Sequence, residues 1–384
     1  MNSITMPLLS IIVPTRERIE TLQHTLRSTL RQYSDEYEVI VSDNCSADGT
    51  SDMVTAIKDS RLKYINTGRR LSMCDNWEFA LQHAQGQYVM FIGDDDATMP
   101  GSIDRLLRVF KTENSLAYSW PTPIYVWPID GSSARVTHLP RIRQRSVHNL
   151  KEMAEFVIAN GGWRYYELPG TYHAAVGRSI LDSIRDRTGR VFHTTQPDVF
   201  TSMVVPVFTQ DAIRVDFPVT VGGVSAKSNG GSNIAKDGMQ HLDRYISEFG
   251  DYEIHSTLYP KASFHENMIP DCILKAMDLF PDFYRELKFN YTAMWAFGYR
   301  LGKYSRWQVL QARNDIRTYH PFSAVRFLYY SAIHDAAIQR RKLLGRMTSL
   351  GPFAMGAPEN VDDFVVALSK WSEFADPAPE GTIK

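Results

Sequence analysis

Over its first 120 residues the chain alternates two hydrophobic periods. Leu8-Leu9-Ser10-Ile11-Ile12-Val13 is an almost unbroken apolar run, the pattern of a strand buried on both faces of a parallel sheet, and Pro14 is expected to stop it. Ile19, Leu22, Leu26 and Leu30 then recur at helical spacing, which predicts an amphipathic helix laid on that sheet. The alternation repeats. Tyr37 to Ser42 predicts a second strand cut off by Asp43-Asn44, and the capping residues in Ser46 to Thr50 precede a helix carrying Val54 and Ile57. Leu62 to Asn66 predicts a third strand ended by Gly68. Met73, Trp77, Ala80, Leu81 and Ala84 line one face of the helix after it. Gln87 to Ile92 predicts a fourth strand that runs into Gly93-Asp94-Asp95-Asp96, and Pro100 is expected to open a helix striped by Ile103, Leu106, Leu107 and Phe110.

Parallel strands need crossover connections, and helices supply both their reach and their handedness. The predicted fold class is therefore α/β, a Rossmann-type, mostly parallel sheet flanked by helices. In open sheets of this kind ligands bind beyond the carboxyl ends of the strands, so Pro14-Thr15-Arg16, Asp43-Asn44, Gly68-Arg69-Arg70 and the three aspartates are expected on one rim. Past residue 120 the pattern loosens, with strand-like pieces at Leu116 to Trp120 and Ile124 to Trp127 and a basic surface loop around Arg141 to Arg145. Helices at Leu150 to Ile158 and Ser179 to Arg185, joined through Gly161-Gly162, and further strand-like pieces up to Val221 predict a mixed, partly antiparallel region. Gly222 to Asn233, with four glycines, reads as a mobile loop or lid. From about Asp237 the periodicity is helical, with helices expected near Phe264 to Phe280, Phe283 to Leu301, Phe322 to Leu344 and Val361 to Phe374. The expected division is a catalytic domain over 1–236, with halves meeting near 120, and a helical C-terminal appendage over 237–384.

Composition narrows the class. The 384 residues are 43% hydrophobic, enough for a sizeable core, and 42 Lys and Arg nearly cancel 43 Asp and Glu, so no global field favours nucleic acid. Cys45, Cys74 and Cys272 are odd in number and widely spaced, against a disulfide framework or a zinc site, and a reducing cytoplasm is expected. Met1 to Pro7 shows neither a basic region nor a cleavable apolar one, and no apolar run approaches the roughly 20 residues of a spanning helix. A soluble protein, or one peripheral at the inner face of a membrane, is expected. Aromatic residues at Tyr291, Trp295, Phe297, Tyr299, Phe327, Tyr329 and Tyr330 form either a helical core or a lipid-facing or homo-oligomer surface, core being the commoner use of that spacing.

The chemistry gathers at strand ends. Three consecutive carboxylates repel one another unless neutralised, and oxygen ligands of this kind select Mg2+ or Mn2+, which complete their shells with substrate phosphates. A solvated acidic turn is the plain alternative. Asp43 is placed to meet a nucleobase edge or ribose hydroxyl, or else forms an Asx turn beside Asn44. Arg16 and Arg18 suit phosphate recognition, while Arg69 and Arg70 are either rim cations or surface charges. The first βα turn carries neither G-x-G-x-x-G nor G-x-x-x-x-G-K-[ST], against a dinucleotide oxidoreductase and a P-loop enzyme.

Ile11-Ile12-Val13-Pro14-Thr15-Arg16, Val39 to Thr50 and Tyr88 to Asp96 together resemble family 2 glycosyltransferases of the GT-A fold, over roughly the first 110 residues. The resemblance implies a GT-A-like catalytic domain and a nucleoside diphosphate sugar donor of the UDP, GDP or dTDP type. Pro14, Thr15, Arg16 and Arg70 would lie near the donor and Asp43 at its base, with Asp94, Asp95 and Asp96 as the aspartate motif on ribose and metal. Where the family pattern is Asp-x-Asp-Asp, Gly93 stands in the first slot here. Either Asp94 and Asp96 form the spaced pair, or Asp95 and Asp96 carry the metal and Gly93 leaves room for the ribose; the second is favoured. The implied reaction is inverting, with a carboxylate base deprotonating a hydroxyl of a glycan, glycolipid or small acceptor. Asp198 in Gln196-Pro197-Asp198 looks like that base, ahead of Asp182 and Glu167. Tyr172 and His173 are candidate acceptor contacts, and His241 a candidate third metal ligand. A sugar nucleotidyltransferase, or a catalytically silent nucleotide-binding scaffold, remains an alternative.

Overall fold

The computed structural model describes residues 6–228, 247–259, 264–300, 306–319, 321–347 and 356–371. Four parallel strands, β1 (Leu9–Thr15), β2 (Tyr37–Asp43), β3 (Leu62–Asn66) and β4 (Tyr88–Phe91), lie in the order β3-β2-β1-β4. Helices α1 (Ile19–Leu30), α2 (Thr50–Ala56) and α3 (Met73–Gln82) make the crossovers. A two-residue strand, β5 (Ala97–Thr98), then precedes α4 (Ser102–Thr112). The chain continues through β6 (Ala117–Ser119), β7 (Ile124–Val126), β8 (Arg135–His138), β9 (Ser146–Asn149), α5 (Leu150–Ala159), β10 (Ala174–Gly177), α6 (Arg178–Thr188), α7 (Pro197–Phe208), β11 (Asp211–Arg214) and β12 (Thr220–Val224). Beyond β4 the main sheet adds β10, β6, β11 and β9, and β10 runs antiparallel to both its neighbours. A second sheet, β5-β12-β7-β8, stands beside the end of β4.

Strand alternation divides the core. Leu9, Ile11 and Val13 of β1 join Val39 and Val41 of β2 under Leu22 and Leu26 of α1 and the Ile103, Leu106, Leu107 stripe of α4. Ile12, Ile40, Val89 and Phe91 face the other way, onto Trp77, Ala80 and Leu81 of α3 and onto α5, α6 and α7. Both faces are covered, which is why the parallel strands read as unbroken apolar runs. The expected α/β class, with a sheet flanked by helices, is borne out.

The C-terminal helices are α8 (Phe264–Leu279), α9 (Pro281–Tyr284), α10 (Tyr291–Arg300), α11 (Arg306–Tyr319), α12 (Ala324–Met347) and α13 (Val361–Ser369). Ile269, Cys272, Ile273, Phe280, Trp295 and Phe327 belong to the same core as α3 and α7. The core reading thus holds for Trp295 and Phe327, while Tyr329 is 61% exposed. Helix α13 packs on the second sheet, where Phe364 stacks on Tyr125 at 5.2 Å.

Several boundaries differ from expectation. Pro14 does not stop β1, which runs on to Thr15; β4 has ended by then, so the absent N–H of Pro14 breaks no ladder bond. Pro100 does not open α4; Gly101, at φ 70°, caps a helix that starts at Ser102. The helix expected from Phe283 to Leu301 is interrupted, because the Asn290 side chain accepts from the Ala293 N–H and starts α10 afresh. Gly222 and Gly223 lie in β12 rather than in a loop.

An aromatic cluster joins α3 to the face of the sheet that carries Phe91. Trp77 stacks on Phe91 at 4.2 Å and meets Phe192 edge-on at 5.5 Å. Trp77→Ala is expected to lower the unfolding free energy in urea by about 3–5 kcal/mol, the range for aromatic-to-alanine changes in closed cores.

Candidate active site

In the parallel register Thr15 at the end of β1 stands beside Asp43 at the end of β2. The Thr15 hydroxyl donates to Asp94 Oδ2 at 2.7 Å, so the ends of β1, β2 and β4 meet on one rim. Asp43 is fully buried; its carboxylate accepts from the Ser46 N–H at 3.0 Å, the Tyr64 hydroxyl at 2.6 Å and Asn66 Nδ2 at 3.2 Å. The Ser46 bond closes the turn after β2 and holds the side chain at the rim.

Asp94, Asp95 and Asp96 are all buried, and each has its own partners. Asp94 faces Thr15 and pairs with the Arg18 guanidinium. Asp95 Oδ2 accepts from the Ser225 N–H at 3.0 Å and its hydroxyl at 2.6 Å, with an Arg18 nitrogen 3.8 Å away. Asp96 accepts from the Gly223 N–H at 2.6 Å and the Tyr172 hydroxyl at 2.8 Å, and His173 Nε2 lies 3.3 Å from it. Burial raises the Asp94 carboxyl against the pull of Arg18. Burial also pushes Asp95 up to about 6, with repulsion from Asp96 and Asp94 adding to it and Arg18 opposing. For Asp96 burial acts upward too, but His173 and the Gly223 and Tyr172 donors hold the carboxyl below its ordinary value.

A side chain at position 93 would crowd this arrangement. A Cβ there would come 2.9 Å from Asp95 Oδ1 and 3.1 Å from both Asp96 Oδ2 and the Tyr172 hydroxyl, so those oxygens fill the space a side chain would need. Asp95 Oδ1 takes no hydrogen bond from a described residue and shares that space with Asp96 Oδ2. Carboxylate oxygens are the hard donors that Mg2+ or Mn2+ takes; Asp96 Oδ2 here already accepts from the Gly93 N–H at 2.5 Å and from the Tyr172 hydroxyl. Among the described residues no group of three or more His, Cys, Asp or Glu side chains could hold a metal by itself.

Asp198, at the start of α7, lies beside the segment that carries Tyr172 and His173. The segment before β10 runs along the end of β4, with the Phe91 N–H donating to the Thr171 carbonyl at 2.6 Å and the His173 N–H to the Phe91 carbonyl at 3.3 Å. A Cβ on Gly170 would come 3.0 Å from the Asp198 carbonyl and from the Ser202 N–H, so this glycine lets the start of α7 press on that segment. Asp198 Oδ1 is buried without a hydrogen-bond partner. Burial raises its carboxyl, moderated by backbone N–H groups and by His173.

The basic residues are placed differently from one another. Arg16 donates twice to Glu248, at 3.0 and 3.2 Å, and Arg70 once, at 2.7 Å. Burial raises the Glu248 carboxyl, yet the two guanidiniums hold it below its usual range. Asp182 and Glu167 pair with Arg185 and Arg164 and are half exposed, away from the aspartates. His241 and residues 229–233 lie outside the described residues. Cys45, Cys74 and Cys272 are unpaired, and among the described residues no helix is long and apolar enough to cross a membrane.

Glu248, Ser225 and the backbone of Gly223 were missed in the sequence. The glycine pair at 222 and 223 was the available signal, since a Cβ on Gly223 would fall 1.8 Å from the Asp95 carbonyl: the glycines serve close approach to the aspartates. Glu248 stood in the stretch read as helical and carried no motif.

The sequence model of the family described as Glycosyl transferase family 2 matches residues 10–164, and the expected resemblance is borne out there. The GalNAc(5)-diNAcBac-PP-undecaprenol beta-1,3-glucosyltransferase of Campylobacter jejuni is 35% identical over 106 residues, covering 27% of this chain and 34% of that protein. The UDP-Glc:alpha-D-GlcNAc-diphosphoundecaprenol beta-1,3-glucosyltransferase WfaP of Escherichia coli is 32% identical over 108 residues, 28% of this chain and 43% of that protein. The chain spans about a third to a half of the length of these curated relatives. The crystal structure of S. aureus TarS 1-349 in complex with UDP-GlcNAc aligns over 76% of this chain and 79% of that one, at 16% identity and TM-score 0.47.

Because the Asp95 value is higher folded than unfolded, its protonated form favours folding. That contribution is complete below the unfolded value and is lost as pH rises through about 6. Without added cation, Asp95→Asn is therefore expected to gain melting temperature relative to wild type between about pH 5 and about pH 7. A constant difference across that range, by calorimetry, would contradict the placement of Asp95.

Proposed function

We propose that the chain, whose residues 10–164 match the family 2 glycosyl transferase model, moves a sugar from a nucleoside diphosphate sugar to an acceptor hydroxyl with inversion at the anomeric carbon. The observation that carries this reading is the pairing, across the segment that carries Tyr172 and His173, of two different carboxylate environments. On one side Asp95 Oδ1 and Asp96 Oδ2 both crowd Gly93, Asp96 Oδ2 held by hydrogen bonds and Asp95 Oδ1 taking none from a described residue. On the other, Asp198 holds a buried oxygen that no protein donor satisfies.

The two environments suit two tasks. Asp95 and Asp96 would hold Mg2+ or Mn2+, which supplies charge neutralisation for the departing diphosphate. Asp94, tied to Thr15 and Arg18, stays on the donor side with Pro14, and Asp43 lies at the base. Arg16 and Arg70 would receive phosphate oxygens in place of Glu248. Asp198 is the general base: burial makes its carboxylate more basic than an exposed one, and its free oxygen accepts the acceptor's proton as that hydroxyl attacks. The names of the two relatives, both acting on undecaprenol-linked saccharides, support a lipid-linked glycan as acceptor.

Release of nucleoside diphosphate from UDP-, GDP- and dTDP-sugars in the presence of Mn2+ tests the reading. Asp198→Asn is expected to bind donor as wild type does and to lose transfer by about 10^2- to 10^4-fold, the usual share of a general base. Asp96→Asn is expected to lose Mn2+-dependent nucleotide binding, measured by calorimetry. Wild-type turnover in the Asp198 variant would remove that residue from its role.

A further inference from the structure

Helix α12 has one side in the core and a second apolar side in solvent. Phe327, Ser331 and His334 are buried, and the Phe327 ring meets that of Tyr299 in α10 at 6.0 Å. At roughly 100° per residue, Val325, Leu328, Tyr329, Ala332 and Ala336 fall on the side turned away, a helical stripe about three turns long. All five are exposed, Val325 at 78% and Leu328 at 50%. Single apolar residues on a surface need no explanation, but a continuous stripe marks a contact.

Positive charge is gathered around the same helix. Residues 300–347 carry ten Lys and Arg and two Asp, although the whole chain, with 42 Lys and Arg against 43 Asp and Glu, is close to neutral. The rest of the chain is therefore negative. Within α12 the basic residues are Arg326, Arg340, Arg341, Lys342 and Arg346, and the acidic one is Asp335. Such segregation draws this segment alone toward anions. A polynucleotide offers the charge without an apolar layer beneath it; a bilayer with anionic headgroups offers both.

We infer that α12 docks on an anionic lipid bilayer, with Val325, Leu328 and Tyr329 entering the headgroup boundary and the basic run 340–346 supplying the attraction. Among the described residues no helix is long and apolar enough to cross a membrane, so α12 lies on the bilayer rather than through it. This goes beyond the proposed transfer reaction and does not rest on it.

Co-sedimentation of the full chain with vesicles, without sugar nucleotide or metal, tests the inference. Wild type is expected to bind phosphatidylcholine vesicles containing about one third phosphatidylglycerol, to bind pure phosphatidylcholine at least about 10-fold more weakly, and to be released by salt. Leu328→Ser with Tyr329→Ser is expected to lower the partition coefficient about 10-fold. Arg340→Gln with Arg341→Gln and Lys342→Gln is expected to lower it about 100-fold. The wild-type comparison of the two lipids needs no substitution, and indifference to lipid charge there overturns the inference. Salt-sensitive binding that is unchanged in the Leu328 and Tyr329 variant also overturns it, leaving attraction to polyanions in general. If that variant instead turns a dimer into a monomer in sedimentation velocity, with vesicle binding intact, the stripe belongs to a second copy of the chain and the inference fails. With no donor present, failure here leaves the transfer reading standing.

Discussion

Three carboxylates in succession, all withdrawn from water, cannot be ionised together without compensation, and the rim is built around that difficulty. Each is assigned a different kind of neighbour: a guanidinium and a threonine hydroxyl for Asp94, a serine N–H and hydroxyl for Asp95, and an imidazole, a phenol and backbone N–H groups for Asp96. Their protonation tendencies separate accordingly, Asp94 and Asp95 upward and Asp96 downward. A single acidic turn thus offers unlike groups within one loop, which is what a site handling both a cation and a sugar nucleotide would require.

Those neighbours come from places far apart in the chain. Arg18 follows β1, the 170–173 segment precedes β10, and Gly223 and Ser225 lie at and beyond the end of β12. Glycines stand at points of close contact between them. Gly223 brings its backbone closer to the Asp95 carbonyl than any Cβ would allow, and a Cβ at Gly93 or Gly170 would press on its neighbours at about 3 Å. The α7 helix enters through the same logic, bringing Asp198 beside the 170–173 segment, beneath a core that the C-terminal helices complete.

The donor half was legible because its central strands β1, β2 and β4 are largely buried and its helices carry clean stripes; α1, and β3 at the partly exposed edge, match their predicted spans residue for residue. The shared rim followed from topology, so Thr15, Asp43 and the aspartates could be brought together without any coordinates. What stayed hidden depends on contacts between segments. Short strands such as β9, four residues with one covered face, carry too little pattern to be seen. The glycines of β12 were read as a loop because a close approach leaves the same trace in sequence as flexibility does. Tyr172 and His173 were singled out for an acceptor, and only their distances to Asp96 show what they touch.

Glu248 changes how the rim greets an incoming anion. With its carboxylate seated between Arg16 and Arg70, one of the two positive charges is cancelled before any ligand arrives. A phosphate reaching those arginines trades places with an internal anion instead of adding to a bare cationic patch. Long-range attraction toward this part of the surface is correspondingly weak, and selectivity here is set by short-range fit after encounter, since a field this muted steers little.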